Sequence, residues 1–600
     1  MLSAIVRLSI RHAGVVVALA GLMTAYGAWK LLDTSLDIFP EFSPKLVIIQ
    51  TEAPGLSAEQ TELLITKPIE HALGGLVDLL AIRSQSIQGL SVVILTFEES
   101  TDLFRDRQLI AEKLGNLAAL LPEGLGPPMM VPLTSSSSTV MTIGLTSEAL
   151  SLMELRTLVE TSVTPRLMSA PGVADVNVFG GDVAQLQIQV VPERLTRYGL
   201  SLQDVVESAE RATGIRGAGF LHNPNQQIVL RTSGQPDTAA ALAQVTLSPP
   251  GAETLTLGDI ATVTIDAAPP IGKATVMGAP GVVIMVIGQL GADTLAVTDA
   301  IEAALRELGT IFRDQGVTLV PDLFRPANYI ERSLANITNH LIVGGGLVVL
   351  ILFLFLFNLR GAFISATAIP LSLIAAALVL VEAGQSINIM VLGGLAIALG
   401  EVVDDAIIDT ENIYRRLRES RRRDLAESLG GIVHAASMEV RGSVVYASFI
   451  VALVFVPLLT LSGVAGRMFE PLGIAYILAI LASLVVALTV TPALCALLLA
   501  SPNLKSADPP LIRGLRPAYG GLLRIICRHA RLAIGLVAIL LGAGLSILPQ
   551  LGGGFLPELR EGHYMIHTSS VPGTALDETI RIGTRITEQV MAIPGVRRMS

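Results

Sequence analysis

The sequence predicts a membrane α-helical bundle joined to a large exported α/β domain, with the same plan beginning a second time near its end. Three observations carry that prediction. Of the 600 residues, 51% are hydrophobic and only 15% are charged, a balance suited to lipid rather than to water. Seven apolar runs have about the 20 residues that a spanning helix needs: Ala13 to Leu32, Ile337 to Phe357, Phe363 to Val381, Ile387 to Thr410, Ser443 to Leu461, Leu472 to Leu499 and Leu532 to Leu548. Finally, "IFPEFSPKLVIIQTEAPGLSAEQTE" after the first run is similar to "FLPELREGHYMIHTSSVPGTALDET" after the seventh.

Taken in order, the first run follows Arg7, Arg11 and His12. It is long and has no small-x-small cleavage site behind it, so it reads as an uncleaved anchor. Basic residues orient the rest: Arg415, Arg416, Arg418 and Arg421 to Arg423 follow run four, while Lys505, Arg513, Arg516, Arg524 and Arg528 lie between runs six and seven. These loops, with the N-terminus and Arg360, are expected on the cytoplasmic side. The segment from Asp33 to Asn336 is then exported, to the periplasm in a two-membrane envelope.

Within the exported segment "KLVIIQT" reads as a strand, "GLSAEQTELLITKPIEHAL" as an amphipathic helix, "SVVILTF" as a strand and "STDLFRDRQLIAEKLGNLAALL" as a second helix. These four elements are read as belonging to the strand-helix-strand-strand-helix order of split β-α-β sandwiches. The Pro, Gly and Ser content of "LPEGLGPPMMVPLTSSSS" marks a linker. A second unit follows, with helix "LMELRTLVETSVTPRLMSA" and strand "VADVNVFG", and resumes at "VVIMVIGQL". Between them, from "AQLQIQVV" to "ATVTID", alternation suggests an inserted β-rich subdomain. Pro54 and Pro572 set the repeat offset at 518 residues, and the same offset carries run seven onto run one, so a span plus exported domain is duplicated. The second copy is truncated about forty residues in, and the 600 residues are expected to be the N-terminal part of a longer chain.

Run four holds the costliest residues. "GEVVDDAIIDTEN" places Glu401, Asp404, Asp405, Asp409 and Glu411 in a spanning helix. An acid at bilayer depth costs about 2.5 to 3.5 kcal/mol by insertion measurements. Residues three, four and seven apart share a helix face, so Glu401, Asp405 and Asp409 form one stripe and Asp404 with Glu411 a neighbouring one. Most of them are expected to face the bundle interior, where such groups can load and release protons. For Asp409 a purely structural part in the helix weighs equally with proton carriage. Glu401 and Glu411, near the helix ends, could also reach water.

"VDDAIIDTENIYRRLRE", the one-plus-six span layout around a large exported domain and the duplication together resemble the resistance-nodulation-division (RND) efflux pumps. The resemblance extends over essentially the whole chain, including "GVADVNVFGGDVAQLQIQVVPERLTRYGLSLQDV", similar to a second porter unit entering a docking subdomain. It implies the inner-membrane, proton-driven subunit of a tripartite exporter: a homotrimer with a periplasmic adaptor and an outer-membrane channel. In that family, acids matching Asp404, Asp405 or Glu411 carry protons, with a lysine from the second half. The layout becomes span one at 1–33, a first porter unit at 34–133, and a second at 134–180 and 270–336 around a docking-type insert at 181–269. Spans two to six occupy 337–500 with a cytoplasmic loop at 411–441, followed by a basic linker at 501–530, span seven at 531–551 and the second periplasmic region from 552. Glu411 in "TEN" and the sequence around "FLPELREGHYMI" resemble the heavy-metal branch, the copper/silver and cobalt-zinc-cadmium pumps. The Asp404-Asp405 pair is the drug exporters' arrangement, and Ala398 stands where many metal pumps have an acid. Heavy-metal export is the expected function, with export of organic compounds or a non-transporting remnant as alternatives.

In "EGHYMIHTSSVPG" a strand would project His563, Met565 and His567 from one face. Imidazole suits borderline divalent ions and thioether suits Cu(I). A half-buried sheet face is the commoner use of such a pattern. By resemblance, position 567 matches a metal-binding methionine of the copper/silver pumps, and histidine there favours a divalent ion. Cys495 and Cys527 lie in run six and the basic linker, so the exported domain has no disulfide framework. A net charge of −10 argues against nucleic-acid partners. The absence of a G-x-x-x-x-G-K-[ST] loop argues against ATP as the energy source, and the absence of "GxGD" and "YD" in the spans argues against an intramembrane aspartyl protease. No enzyme and no cofactor are expected. The driving force would be the proton gradient, and a metal ion would be cargo.

Overall fold

The computed structural model describes residues 2–32, 34, 36–37, 40–117, 121–122, 125–214, 219–229, 235–247, 255–356, 358–422, 428–499, 510–551, 562–571 and 573–600. The chain forms two compact units. Lys505, Arg423 and Pro572 lie outside the described residues, as does most of "FLPELREGHYMI".

The first unit contains the long apolar helices: α1 (Leu2–Arg11), α2 (Ala13–Leu32), α3 (Ala327–Leu356), α4 (Leu359–Glu382), α5 (Ile389–Arg422), α6 (Leu429–Leu459), α7 (Gly463–Leu498), α8 (Pro510–Arg528) and α9 (Ala530–Ile547). Among the described residues six helical stretches, in α2, α3, α4, α6, α7 and the segment 530–550, are long and apolar enough to cross a membrane. α5 is long enough too, but its carboxylates set it apart. α7 packs against α1, α2, α4, α5 and α6, and α5 packs against α3, α4, α6 and α7. α5 and α7 touch backbone to backbone at Gly394, where a Cβ would sit 2.5 Å from the Leu472 carbonyl oxygen, so only glycine fits that crossing. The loop expected at 411–441 is mostly helix, because α5 runs to Arg422 and α6 starts at Leu429. Helix ends that leave the lipid take charged residues without unwinding, so apolarity underestimates their length. The basic linker at 501–530 likewise contains the 19-residue α8.

The same unit includes the first α/β module: β1 (Leu46–Glu52), β2 (Leu79–Ile87), β3 (Leu90–Phe97) and β4 (Met129–Met130), ordered β2-β3-β1-β4. Its antiparallel register sets Val47 opposite Leu95 and Ile49 opposite Val93, so alternate side chains enter a core closed by Ile65, Ile69, Ile110 and Leu114 of the covering helices. The first covering helix starts with a capping box, Ser57 with Gln60, and widens into a π turn at Glu62–Thr66. Pro68 follows that turn directly. A proline ring clashes with the carbonyl four residues back, and one wider turn relieves the clash.

The second unit repeats this device. Ser151 and Glu154 form the capping box, the π turn is Val159–Val163, and Pro165 follows. Its sheet contains β5 (Thr134–Ser147), β6 (Val173–Gly180), β9 (Ala274–Val276), β10 (Ala279–Gln289) and β11 (Val317–Phe324), ordered β9-β10-β5-β11 with β6 also on β10. The serine-rich run read as linker is therefore the start of β5: serine tolerates extended backbone, and pairing overrides the turn signal. The insert is bounded by β7 (Ala184–Val190) and β8 (Ala261–Ala267), antiparallel along their full length. Between those strands lie four shorter ones, Phe220–His222, Gln227–Val229, Thr246–Leu247 and Leu255–Thr256, together with helices Pro192–Tyr198, Leu202–Thr213, Ala239–Ala243 and Leu257–Ile260, which the alternation did not suggest. Val205, Leu242 and Ile260 on three of these helices fill its core, and their helical period was obscured by the short polar connections around them.

The duplication is visible in the helix positions. Shifted by 518, the helical segment 58–73 falls on Leu576–Met591, and α2 falls within one residue of the helical segment 530–550.

Candidate functional site

The five carboxylates of α5 divide by face. Asp405 and Asp409, one turn apart, are 7% and 2% exposed, while Asp404 and Glu411 are exposed and Glu401 is half-buried. The expectation that most of these acids face the interior is corrected: the Glu401/Asp405/Asp409 stripe turns inward at its last two members, and the Asp404/Glu411 stripe, about 100° round the helix, is exposed among the described residues.

The two buried acids have different partners. Asp409 pairs with Arg441 of α6, Nη2 to Oδ2 at 2.9 Å, and accepts from Ser437 Oγ at 3.2 Å. The same Nη2 donates to Ser437 Oγ at 2.9 Å and to the Ala487 carbonyl of α7 at 2.6 Å. Arg441 is 1% exposed, and its Nε has no partner among the described residues. Asp405 accepts from one neutral group, Ser483 Oγ of α7, at 3.3 Å. A lattice of hydroxyls continues outward: Thr410 Oγ1 donates to the Ala406 carbonyl at 2.8 Å, and Ser365 of α4 donates to both. One turn on, Asn412 donates to the Ala436 carbonyl at 2.7 Å, and Arg416 makes two 2.9 Å bonds to Glu439.

Arg441 and Ser483 were not found by sequence reasoning. Ending the loop at 441 and starting the fifth run at Ser443 placed Arg441 in water, and an isolated serine in an apolar run carries no signal. A lone arginine inside "SMEVRGSVVYAS" was the available clue.

The strand expected to carry the His563/Met565/His567 stripe does not form. His563, Met565 and His567 lie in a segment without secondary structure, with Met565 78% exposed. In the first copy the corresponding strand, β1, is held by β3, and no counterpart of β3 exists among the described residues, so alternation has nothing to act on. Among those residues no group of three or more His, Cys, Asp or Glu is placed to hold a metal ion.

A third acid lies where α5 begins. Leu36–Asp37 pairs in parallel with Ile387–Asn388, and the Asn388 carboxamide oxygen accepts from Val391 N at 3.0 Å, capping α5. Burial first, and then the charge of Asp293, push the Asp37 carboxyl up to about 6, against opposing hydrogen bonds from Thr294. A folded value above the ordinary 3.8 means stability that is full below about pH 4 and is lost as pH rises through 6. Asp37→Asn should therefore raise the unfolding midpoint in detergent at pH 7.5 and change it little at pH 4. A gap independent of pH would refute this.

Long apolar helices with a buried ion pair and a separate buried acid beside a neutral donor, joined to split α/β modules, define a polytopic membrane protein. The chain belongs to the AcrB/AcrD/AcrF family, whose model matches residues 5–600. It is 32% identical to Protein HelA of Legionella pneumophila over all of this chain and 57% of that protein. It is 29% identical to the cobalt-zinc-cadmium resistance protein CzcA of Cupriavidus metallidurans over 96% of this chain and 55% of that protein, and 28% identical to the cation efflux system protein CusA of Escherichia coli K12 over 100% and 58%. A crystal structure of a heavy metal efflux pump superposes with a TM-score of 0.83 at 24% identity, covering 99% of this chain and 57% of that one. The chain thus spans little more than half the length of these relatives. The family expected from the sequence is the one found, among relatives named for cation efflux and metal resistance, which are transporters and not enzymes.

Proposed function

We propose that this chain belongs to a proton-driven exporter of heavy-metal cations in the bacterial inner membrane, trimeric and working with a periplasmic adaptor and an outer-membrane channel. The observation that carries the reading is Asp405: an acid buried among spanning helices whose one hydrogen-bond partner among the described residues is neutral, so its proton can come and go without breaking an ion pair. Asp404, one residue away on the exposed face, and Glu401, half-buried, give protons a route to it, with Glu411 at the far end of the same stripe. Asp409, held by Arg441, is the fixed charge. A proton moving down a gradient supplies about 2.3 kcal/mol per 100 mV, and loading Asp405 would shift α5 against α7 and, through the bundle, open and close the porter modules around cargo taken from the periplasm or outer leaflet. Similarity to CzcA, a cobalt-zinc-cadmium resistance protein, and to CusA, a cation efflux system protein, supports metal as cargo.

The test is the purified protein in vesicles with a pH-sensitive dye inside and an imposed proton gradient. Zinc, cobalt or cadmium added to the cargo side should accelerate proton movement. Acceleration by organic dyes and by no cation would move the assignment to the organic-compound branch, and none by either would leave a non-transporting protein.

A further inference from the structure

Outside the carboxylate site, a groove of about 780 Å³ runs along α3 and α4. Val349, Leu350 and Phe353 of α3 face Phe363 and Ala366 of α4 across it. At Gly346, which also lines it, an added Cβ would meet nothing within 4 Å, so the slot stays open toward the middle of the membrane. Arg360, in the first turn of α4, is the one charged side chain in the lining among the described residues. It is exposed, and it donates to the Leu498 carbonyl oxygen at 3.3 Å. The remaining guanidinium donors have no protein partner among the described residues.

Among the described residues no Asp or Glu lines the groove. No Asp or Glu occurs from residue 333 to 381 or from 509 to 557. α8, which packs against α3, carries Arg513, Arg516, Arg524 and Arg528 on the same helix as the exposed Leu515, Leu522 and Leu523. An amphipathic helix of that kind lies at a membrane surface and draws anionic headgroups.

We infer that the α3–α4 groove binds one anionic phospholipid, with an acyl chain between the helices and the phosphate on Arg360. An apolar slot with a single cation at its headgroup end matches that molecule at both ends: guanidinium pairs with phosphate through charge-assisted bonds, and the slot takes hydrocarbon. A neutral apolar ligand would leave Arg360 unused, and a covering protein helix would have to supply an acid at this mouth. The inference does not rest on transport.

The experiment is native mass spectrometry of the delipidated, purified protein titrated with phosphatidylglycerol and with phosphatidylcholine of identical acyl chains. The parent protein should retain one phosphatidylglycerol more tightly than any phosphatidylcholine. Arg360→Gln should weaken that retention roughly fivefold and leave phosphatidylcholine unchanged, Arg360→Lys should restore most of it, and Gly346→Leu should remove the site for both lipids. All three variants should keep the parent's unfolding midpoint in detergent. Equal retention of the two lipids by the parent would make this ordinary annular lipid and overturn the proposal. So would Arg360→Gln retaining phosphatidylglycerol like the parent, or a dimer of the parent that Gly346→Leu disperses.

Discussion

Asp409→Asn is expected to cost the chain a large part of its folded stability, because it leaves Arg441 charged, 1% exposed and without its counter-ion. Removing one member of a buried pair costs about 3 to 5 kcal/mol, against a total of about 5 to 15 for an ordinary domain. The two single variants should differ. A guanidinium cannot shed its proton, whereas the carboxyl left behind by Arg441→Met can take one up and become neutral, so Asp409→Asn should be the worse. The double variant Asp409→Leu, Arg441→Met should recover, since well-packed apolar replacements of buried pairs are often neutral or stabilising. Unfolding midpoints in detergent measure all three, and a double variant no better than Asp409→Asn would show that the pair is not what couples α5 to α6 energetically.

Asp405→Asn should do the opposite: leave the fold intact and remove function. The amide oxygen can still accept from Ser483 Oγ, and no charge is left unpaired, so the midpoint should stay close to the parent's. Metal-driven proton movement in vesicles should fall at least tenfold, the scale on which a lost proton-transfer group acts. Asp404→Asn, on the exposed face, should have the smaller effect alone. If the double Asp404→Asn, Asp405→Asn protein moved protons and cargo at the parent's rate, the relay assignment would be wrong.

The sequence made the spans, the repeat and the inward stripe legible because each is written in local periodicity. Asp405 and Asp409 were placed together by helical spacing alone. Their partners were not, because Ser483 lies 78 residues from Asp405 and Arg441 lies 32 from Asp409, joined only when α5, α6 and α7 pack. The split α/β order was readable for the same local reason. The helices inside the insert escaped because they are short and set among polar connections, and the strand expected through His563, Met565 and His567 is missing because a strand exists only opposite another strand.

The Asp409–Arg441 pair also restricts how this sequence can drift over generations. Losing either charge by itself passes through a poorly folded protein, so the two codons, though far apart in the gene, are selected as a unit. Family members should carry an acid and a base at these two places, or neutral residues at both. A member with only one should show a compensating charge on α7 within reach of the orphan.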